Sequence, residues 1–163
     1  MDEADDSEME QFCWRDTYFV WFAAARRPSL EQVRQTLQAL PEHYQLESPE
    51  TDEAGRFESI TVRSPGDHVA LEISFLGGDD IRLQAETLAE EMKSTGDNDN
   101  RRLAKLAACD ARFDVMQFEQ LDEDAGEPDP DGGFDPSTLL VVLNALVKLV
   151  DGIGVDPQSG LIV

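Results

Sequence analysis

Cysteine and histidine occur only twice each in the 163 residues. Cys13 and Cys109 make no CxxC pair and no metal-ligand spacing, and two cysteines are no disulfide framework. Neither His43 nor His68 has a nucleophile at a telling spacing, and a Cys–His site or triad is defined by geometry that spacing alone does not supply. Cys109, behind Ala107 and Ala108, reads as a small core residue. Bases are also scarce, with 13 Lys and Arg against 35 Asp and Glu and a formal charge of −22. A field of that sign repels nucleic-acid phosphates and anionic membranes and steers association toward basic partners or cations. Long apolar runs are missing: the longest, Leu139–Val150, contains Asn144 and Lys148 and falls well short of the roughly 20 residues a bilayer span needs. The N-terminus carries acids where a signal peptide needs a basic and then an apolar region, so the cytoplasm is the expected compartment. Gly77-Gly78 and Gly152-Ile153-Gly154 match neither a dinucleotide fingerprint nor a P-loop, and no cofactor is expected.

The acids that are present are unevenly placed. Asp2, Glu3, Asp5, Asp6, Glu8 and Glu10 fill the start of the chain, and Glu119, Asp122, Glu123, Asp124, Glu127, Asp129, Asp131 and Asp135 fill a Pro- and Gly-broken stretch, with no base in either. Setting those fourteen aside leaves 21 acids against 13 bases, so the excess charge lies mainly in a tail and a loop. The organisation expected is an acidic disordered tail over residues 1–12, a core domain over 13–121, an acidic linker over 122–136 and a helix-strand extension over 137–163 packed on the core.

Asp16 to Ala25 is apolar on both alternating sets, the pattern of a strand covered on two sides. Ser29 with Gln32 makes a capping box for a helix that places Leu30, Val33, Leu37 and Leu40 on one face. Tyr44 to Leu46 begins a second strand that the polar stretch after it interrupts and that resumes at Arg56 to Arg63. Ser64-Pro65-Gly66-Asp67 reads as a tight turn into His68 to Leu76, where Val69, Leu71, Ile73 and Phe75 share a face. Asp79 or Asp80 caps a helix marked by Ile81, Ala85, Leu88 and Met92, and Asn98 to Asn100 cap a shorter one with Leu103 and Leu106. Ala111 to Leu121 reads as a fourth strand, irregular enough for an edge or a bulge. The order is that of a ferredoxin-like βαββαβ α+β sandwich, a mostly antiparallel sheet with helices on one face, plus a C-terminal helix and short strand. In the tail, Leu139, Leu143, Leu146, Val147 and Val150 form one apolar stripe, which Gly152 and Gly154 end.

One stretch carries a spacing suited to metal. Counting Glu127 as position 1 of a calcium loop puts Asp129, Asp131, Gly132, Phe134 and Asp135 at positions 3, 5, 6, 8 and 9. In this it resembles a single calcium loop of the EF-hand or dockerin kind, and the resemblance implies Glu127, Asp129, Asp131 and Asp135 as calcium ligands. The departures are Glu at position 1, Pro at 2 and 4, and Thr138 where a bidentate carboxylate belongs.

The function read from these features is a non-catalytic acidic module that binds a basic protein partner, an inhibitor or immunity-like protein, with Asp122, Glu123, Asp124, Asp129 and Asp131 at the contact. Its plainer form is a subunit that pairs with its twin. The alternative is a small-molecule-sensing regulatory domain with its ligand at a strand or dimer interface.

Overall fold

The computed structural model describes residues 12–64, 68–96, 99–120, 137–159 and 161–162. Its strands are β1 (Phe12–Phe22), β2 (Gln45–Thr51), β3 (Phe57–Ser64), β4 (Val69–Gly77), β5 (Ala111–Gln120), β6 (Ile153–Asp156) and β7 (Leu161–Ile162). Its helices are α1 (Leu30–Gln38), α2 (Asp79–Ser94), α3 (Asn100–Ala107) and α4 (Ser137–Val150), with a single 3₁₀ turn at Ala24–Arg26. The seven strands form one antiparallel sheet in the order β2-β3-β4-β5-β1-β6-β7. No helix of the described residues is long and apolar enough to cross a membrane.

The two alternating sets of β1 bury against different helix layers, because each set has an apolar surface to meet. Val20 and Phe22 join Val33 and Leu37 of α1 and Leu139, Val142, Leu143, Leu146 and Val150 of α4 in one cluster. Trp21 joins Ile81, Ala85, Ala89 and Met92 of α2 and Leu103 and Leu106 of α3 in the other. Helices therefore lie on both faces of the sheet rather than on one. The C-terminal helix is part of the first layer, with Leu139, Leu146 and Val150 fully enclosed. Phe113, near the start of β5, meets Phe22, Phe57 and Phe75 with ring centroids 4.6, 5.5 and 6.4 Å away.

The strand order departs from the ferredoxin-like one. That topology puts the first and third expected strands side by side in parallel. Here β5 lies between β1 and β4 and pairs antiparallel with both. The irregularity expected of β5 belongs to β1 instead, as a bulge between Trp14 and Asp16. The reason is that β5 buries Phe113, Val115 and Gln117 on one side and Arg112 on the other, which an edge position could not provide. The polar stretch after Leu46 is itself strand: β2 and β3 form a hairpin whose loop is organised by Asp52, whose Oδ1 accepts N–H bonds from Ala54 and Arg56, each at 2.9 Å.

Local signals are reproduced at the helix ends. Ser29 Oγ accepts from Gln32 N at 3.1 Å and Gln32 Oε1 accepts from Ser29 N at 2.9 Å, both halves of the box. Asp99 caps α3 by accepting from Arg102 N. Asp79 and Asp80 instead fill the first turn of α2, where their charge suits the helix dipole, and Gly78 at φ 117° is the cap. At the end of α4 the left-handed residue is Asp151 at φ 51°, not Gly152. Gly152 is needed for another reason: a Cβ there would sit 2.6 Å from the Trp21 carbonyl oxygen.

Candidate functional site

The helix layer over α2 and α3 covers only half of its side of the sheet. Its boundary is Arg112, whose side chain is nearly buried. Arg112 Nε donates to Asp114 Oδ1 at 2.6 Å and an NH1 hydrogen bond of 2.7 Å reaches Gln84 of α2, while the guanidinium lies 4.1 Å from the Phe19 ring centre and 5.1 Å from that of Trp21. This desolvated cation is stabilised by carboxylate and aromatic faces together, and it rivets α2 to the sheet. Beyond it no described element covers the face.

The strand registers place fifteen side-chain positions of that side in three rows. Nearest the helices run Glu50, Ser59, Ser74, Asp114 and Phe19; next come Glu47, Thr61, Glu72, Met116 and Thr17; farthest out are Gln45, Arg63, Ala70, Phe118 and Trp14. Glu72 is exposed although β4 is paired on both sides, so no described layer covers the sheet at that point. Toward β2 to β4 the face is acidic and hydroxylic, and a shallow depression of about 250 Å³ lies over Glu50, Ser59, Thr61, Glu72 and Ser74. Toward β5 and β1 it is apolar, with Met116 and Phe118 half-buried and Trp14 48% exposed.

Two details prepare this surface. The Trp14 indole N–H donates to Thr17 Oγ1 at 2.9 Å, so its polar atom is satisfied within the strand and the ring is held beside the outer rows. The one cation among these fifteen positions, Arg63, is paired with Glu47 at 2.7 Å, while Glu50 and Glu72 are exposed to solvent. An incoming positive charge meets a face of the opposite sign.

The acids expected to make the contact, Asp122, Glu123, Asp124, Asp129 and Asp131, lie outside the described residues, as do the calcium-loop positions Glu127, Asp129, Asp131 and Asp135. Phe12 and Gln120 are register partners at the outer end of β1 and β5, the end carrying Trp14 and Phe118. Among the described residues no group of three or more His, Cys, Asp or Glu could hold a metal ion.

The sulfur and imidazole groups are dispersed. Cys109 is buried, donates to the Lys105 carbonyl at 3.2 Å, and burial pushes its thiol up to about 11, Lys105 pulling the other way and Asp110 adding to the rise. Cys13 is exposed at the opposite end of β1, about 30 Å away at the usual rise per strand residue. His43 and His68 are both exposed. Asp16 and Tyr18 are each held above their ordinary values, chiefly by burial and further by the charge of Asp156.

Sequence reasoning missed the open face. The available signal was the second alternating set of β5, Asp114, Met116 and Phe118, read together with Trp14. Other surface hollows among the described residues include one of about 400 Å³ between α2 and α3, lined by Glu86, Ala89, Glu90 and Leu103, and one of about 280 Å³ on α4 beside Leu140 and Val147. What fold and face together define is an acidic α+β protein with helices on both sides of an antiparallel sheet and, among the described residues, half of one sheet face uncovered. No family model, curated protein or solved structure matches the chain.

Proposed function

We propose that the chain is a non-catalytic interaction module that binds a basic protein through its open sheet face, as an inhibitor does when it covers a cationic site. The observation that carries this reading is the exposed Glu72 in a strand paired on both sides, in the same uncovered face as a half-exposed Trp14. Tryptophan held in place is the residue type that most often dominates an interface, because it offers large contact area with little freedom left to lose. The carboxylates around it steer a cationic partner and disfavour others. A net charge of −22 acts in the same direction and opposes pairing with a second copy.

The test compares the wild-type chain with Glu72→Lys and Glu50→Lys by quantitative capture, followed by reconstitution with the purified partner. The reading expects a stoichiometric partner of pI above about 9 that the wild type holds and the variants release. Identical retention by all three proteins, or no basic partner in stoichiometric amount, contradicts it.

A further inference from the structure

Resting on that reading, we infer that the occupant of the open face is an amphipathic basic helix of the partner, with its apolar side on Trp14, Met116 and Phe118 and its Lys or Arg residues on Glu72 and Glu50. Three observations lead to a helix rather than a strand. The face lies within five hydrogen-bonded strands, so its backbone groups are occupied by the sheet and only side chains are offered. The outer edge strand, β2, is irregular at Ser48, with φ 50°, and Pro49, and its register shifts twice, which blunts it against strand addition. The same side of the sheet is already covered in its other half by helices, so a further helix continues an existing layer.

α3 presents Arg101, Arg102 and Lys105 to solvent while Leu103 and Leu106 are buried, so the chain itself uses a basic amphipathic helix on this side. The open face matches such a segment in size. Five strands spaced about 4.8 Å apart and three rows about 6.8 Å apart give a surface of about 19 by 14 Å, the footprint of a helix of about 13 residues. On that lattice Trp14 and Glu72 are about 12 Å apart, or about two helical turns. The segment recognised therefore places an apolar anchor about two turns from a Lys or Arg. Nucleic acid has the wrong charge for the site, and a second copy brings like charge to it.

The experiment uses the full chain and a synthetic Trp-free peptide of about 14 residues, with Leu on one face and Lys on the other. Controls are the same residues scrambled to remove the stripe and a version with Glu for Lys. Binding is read by calorimetry and by Trp fluorescence at physiological salt, after circular dichroism and a thermal melt confirm that each variant folds. The striped peptide is expected to bind at least tenfold tighter than the scrambled one. Trp14→Ala is expected to weaken it at least tenfold and Trp14→Phe far less. Glu72→Lys should weaken it several-fold, whereas Glu90→Lys, the same charge change outside the face, and Leu140→Glu on α4 should leave it unchanged. If scrambled and striped peptides bind equally and Trp14→Ala has no effect, the helix inference falls while the basic-partner reading stands. If Glu90→Lys weakens binding as much as Glu72→Lys, the face is not the site. If no basic peptide binds and the capture finds no basic partner, both fail.

Discussion

Truncating Leu146 to alanine should destabilise the protein severely without touching the open face. Leu146 is fully enclosed in the second half of α4, in the cluster that also holds Val20, Phe113 and Val33. The hole it leaves is walled by sheet on one side and α1 on the other, so little collapse can fill it. Leu→Ala changes in such cores cost about 2–5 kcal/mol, and a rigid site belongs in the middle of that range, about 3 kcal/mol. For a domain of this size each kcal/mol lowers Tm by about 2–4 °C, which makes the expected drop about 6–12 °C. Urea unfolding followed by far-UV circular dichroism measures the change, with Lys148→Ala on the outer side of the same helix as the reference. That control should stay within about 0.5 kcal/mol of wild type. A Leu146→Ala change no larger than that of Lys148→Ala would refute the assignment of α4 to the core.

Other consequences concern thiols, a glycine and pH. In native protein one thiol, that of Cys13, should react with a disulfide reagent, and Cys109 should react only with unfolding, because it is buried and its pKa is pushed up to about 11. Two rapid equivalents would contradict its placement. Gly152→Ala should destabilise by about 1–3 kcal/mol, since the added Cβ meets the Trp21 carbonyl oxygen; a neutral thermal melt would show that β6 does not approach β1 as described. Asp16 is held above its ordinary 3.8 chiefly by burial, partly offset by the Thr17 N–H and reinforced by Asp156. The folded state thus binds this proton more tightly than the unfolded chain, and the stability it confers is full below the unfolded pKa and lost as pH rises through the folded value. Asp16→Asn should therefore raise Tm at pH 7, with the gain vanishing in melts below about pH 4. A gain of equal size at both pH values would contradict this account.

What the sequence made legible was local. The two apolar sets of β1, the Ser29–Gln32 box, the β3–β4 hairpin and the stripe of α4 each follow from spacing that directly reports a face or an end. The neighbour of each strand did not follow. Alternation says which side chains share a face, whereas pairing depends on how the faces of distant segments fit, and nothing near β5 in sequence marks it as the strand between β4 and β1. Gln117 made this harder, because a polar residue at a position only 1% exposed breaks the apolar alternation that marks a central strand. β6 was missed because four residues with Gly154 among them carry almost no periodic signal. The charge pattern led to the expectation of a basic partner and of a contact over residues 122–131, which lie outside the described residues. Glu50 and Glu72 are indistinguishable in sequence from the other acids, and only the registers set them in the same face as Trp14, Met116 and Phe118.

The most direct test of the open face is a titration of isotopically labelled protein with the striped basic peptide, followed by amide and indole resonances. Shifts are expected to concentrate on Thr61, Glu72, Met116 and Phe118, and the Trp14 indole resonance is expected to move while that of Trp21, buried under α2 and α3, does not. Shifts centred on α4 or on the groove between α2 and α3, with the Trp14 indole unmoved, would contradict that expectation.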